Sequence, residues 1–126
     1  MLRCIIYQGV HFTIEWYCDE QGRSPARDYF DELSFDRKKK FDYLIRRMGD
    51  SGKIQDEEKF RYEGDQIYAF KPKPDRFLCF FIKGSKIIVT SAFEKKVSKL
   101  PPREKEKALK CKQDYVKRVG KGSYYD

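Results

Sequence analysis

Lys71, Lys73, Arg76, Lys95, Lys96 and Lys99 flank an apolar stretch patterned as a β-hairpin. Its first arm covers residues 77–82, a Gly84-Ser85 turn follows, and the second arm covers residues 87–93. Pairing of the arms brings their outer ends together, so the cations before the first approach those after the second. Fixed positive charges converging at one end of a rigid sheet make a site for phosphate groups, which points to RNA or DNA. Arg76 is the best candidate to hold a phosphate, because its guanidinium stays charged and grips two oxygens at once. Its competing use is structural, as a sheet-edge arginine reaching to water or pairing with Asp75. Tyr68 and Phe70 alternate with Lys71, and a ring at either place can stack a base, typically worth ~1–3 kcal/mol. Phe70 suits the core better.

The charge that feeds this site is unevenly spread. The net charge is +8, and residues 95–121 alone hold eleven Lys/Arg against Glu104, Glu106 and Asp114, which is the whole surplus. That segment reads as a surface for a polyanion or an acidic partner, and otherwise as the solvated face of a Lys-rich helix. Aromatic residues at 16% are too many for a disordered chain despite 38% charged residues. At 126 residues, one domain spanning 1–126 can bury roughly two thirds of its unfolded surface.

Other classes fit poorly. No apolar run approaches the roughly 20 residues needed to cross a bilayer, and residues 1–7 make a poor signal peptide, so a soluble, cytoplasmic protein without membrane contact is expected. Cys4, Cys18, Cys79 and Cys111 are scattered, with His11 the sole histidine. The spacing offers no metal site, and buried reduced thiols are expected rather than disulfides.

The elements that must position the cations follow from periodicity. Residues 12–18 read as a strand ending at a turn around Gly22. Ser24 and Pro25 open a helix whose stripe is Ala26, Tyr29, Phe30 and Leu33. Phe41, Leu44, Ile45 and Met48 repeat that spacing in a second helix, ended by Gly49 and Gly52. The short link at Ser34 makes the pair an antiparallel hairpin. Strands follow at residues 60–62, 66–71, 77–82 and 87–93, with Pro72 and Pro74 stopping the second of them. Pro101-Pro102 starts a last helix with the stripe Ala108, Cys111, Tyr115 and Val119, and the tail from about residue 121 is expected to fray. The order β, α, α, strands, α predicts an α+β fold with a mainly antiparallel sheet, one face covered by the helical hairpin and the other partly open.

Four segments occur in a particular order: Tyr68-Ala69-Phe70-Lys71, residues 76–81, Phe93-Glu94-Lys95-Lys96, and Lys99-Leu100-Pro101-Pro102-Arg103-Glu104 running on to Ala108. In this set, across residues 12–119, the chain resembles the RelE superfamily of bacterial toxins, closest to its phage-derived, HigB-like branch. The resemblance implies a RelE-like fold and a ribosome-dependent mRNA endonuclease, an mRNA interferase that stops translation. It also implies neutralisation by an antitoxin carrying a helix-turn-helix domain, with DNA reached only through that complex. No cofactor is expected. One departure stands out. Relatives in this branch often carry an acidic-apolar-Arg motif where this chain has Ala69-Phe70-Lys71, so an acid serving as base there is missing.

Cleaving RNA through its own 2′-hydroxyl needs a group to take that proton, charge to offset the phosphorane, and a donor for the leaving 5′ oxygen. Lys71, Lys73, Lys95 and Lys96 are the candidates beside Arg76. Neighbouring cations push a lysine below its usual value of about 10.4, bound phosphate pushes it back, and the choice among the four stays open. Adjacent strand residues face opposite ways, which favours only one of Lys95 and Lys96 in the cleft. Glu94 is a rival base or an ion-pair partner. Tyr68, Lys99 and Arg103 are expected RNA contacts, while His11 and Trp16 are strand and core residues. Two rival functions remain: a non-catalytic basic RNA- or ribosome-binding module, and a DNA-binding regulator, for which no recognition-helix pattern is visible.

Overall fold

Alternation along residues 75–82 decides the architecture. Phe77 and Cys79 belong to one apolar cluster, Leu78 and Phe80 to a second on the opposite side, and all four are fully buried. A strand buried on both faces needs a helical layer on each, and the chain supplies both. The computed structural model describes residues 4–125. Its elements are β1 (Ile5–Gln8), β2 (Thr13–Trp16), α1 (Pro25–Asp31), α2 (Phe35–Ser51), β3 (Phe60–Tyr62), β4 (Tyr68–Phe70), β5 (Asp75–Ile82), β6 (Lys86–Glu94) and α3 (Pro102–Gly120).

The six strands form one sheet in the order β1-β2-β6-β5-β4-β3. Every pairing is antiparallel except β2 with β6, which run parallel. The fold is therefore α+β and mainly antiparallel, consistent with a RelE-like fold. Ala26 of α1 and Phe41, Leu44, Ile45 and Met48 of α2 pack on the Phe77 side. Ala108 and Tyr115 of α3 pack on the Leu78 side. The second face is covered over part of its area by α3 and is partly open, as expected.

Local chemistry sets the helix ends. The Ser24 and Ser34 hydroxyls each accept the backbone N–H three residues on, from Arg27 and Arg37, both at 3.3 Å. Pro25 occupies the first turn of α1, and Gly52 closes α2 with φ of 82°. The β5–β6 connection is Lys83-Gly84-Ser85, one residue longer than expected, because Ile82 pairs directly with Lys86.

Four expectations are corrected. β1 was not foreseen: it lies in the short apolar start of the chain, and its pairing with β2 is what makes it a strand. Gly9, just after it, sits so close to Gly49 that a Cβ would fall 2.3 Å from that residue's carbonyl carbon, so the approach requires glycine. Cys4 and Cys18 are joined by a disulfide, with Cα atoms 7.0 Å apart, because the β1–β2 hairpin brings them together. Cys79 and Cys111 remain free, and burial pushes the Cys111 thiol up to about 11. On α3, Val119 is exposed and Arg118 takes the buried place, donating to the Cys18 carbonyl at 2.7 Å. The tail does not fray through residue 125. Tyr124 accepts the Cys18 backbone N–H at 2.9 Å, and Tyr125 donates to buried Glu15 at 2.7 Å.

Candidate functional site

The face of the sheet beneath α3 is not covered to its edge. Beyond the start of that helix, residues in register across four strands share one side. The pairings Arg61↔Ala69 and Ala69↔Leu78, with Arg76↔Phe93 two residues along β5, place these residues on one face. Period-two alternation then puts Glu63, Lys71 and Lys95 on the same side. Residues 97–100 fold over this edge and complete a cavity of about 460 Å³, within the ~300–1,000 Å³ common for ligand sites. Its charged lining is Arg61, Lys71, Arg76, Lys95 and Lys99, with Glu58 and Glu63.

Arg76 is the innermost cation, only 7% exposed. One of its terminal nitrogens donates to the Asp75 carbonyl at 3.1 Å, and it forms no ion pair among the described residues. A guanidinium carries five N–H donors, so most of its capacity faces the cavity unspent. Burial lowers its pKa, opposed by the charges of Glu63 and Glu58. Lys71 lies beside it and donates to the Glu57 carbonyl at 2.8 Å. Burial, then the charge of Arg76, pulls the Lys71 ammonium below its ordinary value. A lysine that releases its proton more readily is suited to acid–base work.

Asp75 does not pair with Arg76. It lies on the other face, fully buried, where Tyr29 donates at 2.6 Å and the Arg37 Nε at 3.0 Å. Burial, then the bond to Asp75, drives the Tyr29 hydroxyl well above its usual range. α1 and α2 are thereby pinned to the first residue of β5, immediately before the arginine that opens into the cavity.

The expected site residues divide accordingly. Lys71, Arg76, Lys95 and Lys99 converge on the cavity. Lys96 does not line it, since it follows Lys95 by one residue. Lys73 is exposed and pairs with Glu58 at 2.8 Å. It belongs to a second groove of about 630 Å³ on the α2 side, with Lys39, Lys40, Lys59 and Lys71. Glu58 is held below the usual carboxylate range by its hydrogen bond to Lys73. Tyr68 is on the opposite face from Arg76, stacked on Phe60 with centroids 5.5 Å apart, so it cannot stack a base in the cavity. Arg103 is exposed in the first turn of α3 and outside the lining. Glu94 faces Arg37 at 3.8 Å, away from the cavity.

Sequence reasoning missed Arg61, Glu58 and Glu63. The alternation of Phe60 and Tyr62 with Arg61 and Glu63 carried the signal, but assigning a face needed the register of β3 on β4. The basic α3 is also less free than its composition implied. Lys105 pairs with Asp65 at 2.8 Å, and Arg118 with Asp114 at 3.2 Å. Among the described residues, no group of three or more His, Cys, Asp or Glu is placed to hold a metal, and no helix is long and apolar enough to cross a membrane.

Fold and cavity define a small α+β protein with a cationic, nucleotide-sized recess at one sheet edge. Residues 28–113 match the family model described as Phage derived protein Gp49-like (DUF891), which spans more than half of the chain. The chain belongs to this Gp49-like, phage-derived family. Every lining residue of the cavity falls within the matched span. No curated protein matches the chain.

Proposed function

We propose that the protein is the toxin of a toxin–antitoxin pair, a RelE-superfamily mRNA interferase of the HigB-like branch that cuts message on the ribosome. The observation that carries this reading is Arg76: a buried guanidinium without a carboxylate partner, opening into a cavity ringed by Arg61, Lys71, Lys95 and Lys99. Burying an uncompensated charge costs stability, and such groups concentrate where a ligand of opposite charge completes them. A phosphodiester supplies that charge, and the guanidinium holds it while charge develops on the phosphorane. The fixed cations serve where other nucleases use a metal, so cleavage is expected to be metal-independent. Membership of the Gp49-like family agrees with a toxin. The proposed partners are message on the ribosome and a helix-turn-helix antitoxin, in the cytoplasm, with DNA reached only through the antitoxin.

A translating extract programmed with a defined mRNA tests the reading. Wild-type protein should cleave the message, and Arg76→Ala should cut at least ~10²-fold more slowly, as for loss of one oxyanion donor. Intact message at saturating wild-type protein would rule out the enzyme. A variant that lost affinity alone, with turnover of bound message unchanged, would favour the non-catalytic RNA-binding module instead.

A further inference from the structure

Glu63 stands directly after β3, and its backbone N–H donates to the Ile67 carbonyl at 2.7 Å, which fixes it at the neck of the β3–β4 turn. It lines the cavity with Lys71 and Arg76, and its charge acts on both cations. The other carboxylates nearby are engaged. Glu58 is bound to Lys73, Asp75 to Arg37 and Tyr29 on the far face, and Glu94 faces Arg37. Glu63 forms no ion pair and no side-chain hydrogen bond among the described residues. A carboxylate left without an ion pair or hydrogen bond in the same cationic recess has an acceptor free for a substrate proton.

We propose that Glu63 is the general base of this cavity and takes the proton of the RNA 2′-hydroxyl while Arg76 holds the adjoining phosphate. The proposal rests on the endonuclease reading. The 2′ oxygen forms a bond to phosphorus and the bond from phosphorus to the 5′ oxygen breaks, its electron pair leaving on that oxygen. Lys71 gives the leaving oxygen a proton from Nζ. The products are a 2′,3′-cyclic phosphate and a free 5′-hydroxyl. One proton goes to Glu63 and one comes from Lys71, so the step balances with no further reactant. Glu63 reaches the recess from the turn after β3, opposite Ile67 and on the same face as Lys71.

The test compares wild type, Glu63→Gln and Glu63→Asp in the same extract, with binding measured on a 2′-deoxy oligonucleotide, which has no nucleophile. Cleavage by Glu63→Gln should fall about 10²–10⁴-fold, the usual contribution of a general base. Binding of the deoxy oligonucleotide should be unchanged or tighter, since a negative charge has left a phosphate site. Glu63→Asp should recover part of the rate. Cleavage by Glu63→Gln at the wild-type rate would overturn the proposal and leave the nuclease reading intact. Loss of deoxy-oligonucleotide binding in that variant would overturn it too, by making the role structural. A wild-type protein that binds and does not cut would remove both.

Discussion

Asp75 and Arg76 are adjacent, both buried and oppositely charged, yet the fold treats them in opposite ways. Asp75 lies beneath α1 and α2, and its carboxylate is saturated by Arg37 and Tyr29. Arg76 lies on the other face, past the start of α3, with one backbone contact and a cavity in front of it. One charge is neutralised inside the protein, and the other is left for something outside it. An ion pair between the two would have satisfied both and removed the site. Strand geometry prevents this, because consecutive side chains point to opposite faces. The helical layer over one face and the open edge of the other then decide which charge is structural and which is available.

The contrast breaks first at Asp75. Asp75→Ala should destabilise the protein by about 3 kcal/mol, the lower end for breaking a buried pair, because Arg37 is 30% exposed. Arg76→Ala should leave stability unchanged or raise it, because it removes a buried charge that has no ion-pair partner and that Glu63 and Glu58 offset only in part. Chemical denaturation of both variants measures the difference, and equal losses would erase the distinction between the faces.

The closed end of the α3 face gives a second, smaller effect. Ending the chain after Ser123 removes Tyr124 and Tyr125 from Tyr115 and leaves buried Glu15 without its hydroxyl donor. A loss of about 2 kcal/mol in thermal or urea unfolding is expected, the scale for exposing a large side chain. Message cleavage should be unaffected, since these residues lie outside the cavity.

The smallest effect sharpens the open side. Burial and Arg76 disfavour charged Lys71, so its folded pKa lies below its unfolded one. Between those two values the unfolded chain binds more protons, and this group's contribution to stability rises with pH. Side-chain NMR should show Lys71 deprotonating earlier than an ordinary lysine. In Arg76→Ala its titration should move back up. An unshifted Lys71 in both proteins would mean that the two cations do not share a site.

Much of the fold was legible because its signals are local. Ser24 and Gly52 mark helix ends through their own side chain or backbone freedom, and the stripe from Phe41 to Met48 needs no partner to be read. β1 gave no such signal, since four residues of weak pattern become a strand only through pairing. The disulfide was hidden for the same reason. Within the site, Lys71, Arg76, Lys95 and Lys99 could be grouped because a hairpin joins its own ends. Tyr68 sits three residues before Lys71, so alternation alone puts it on the other face, whereas Arg61 and Glu63 went unseen because their face depends on register with β4.

The sequence by itself determined that this is an α+β protein carrying surplus positive charge around a central hairpin, because helix stripes, caps and strand alternation are properties of short segments. Only the tertiary structure decided which charges are spent. Lys73 and Lys105 are drawn into ion pairs, Arg118 is buried on a backbone carbonyl, and Asp75 is sealed under two helices, while Arg76, Lys71 and Glu63 are left facing one recess. The physical reason is that charges tens of residues apart neutralise one another only when strand register and helix packing bring them within a few ångströms, and neither is written in any one segment.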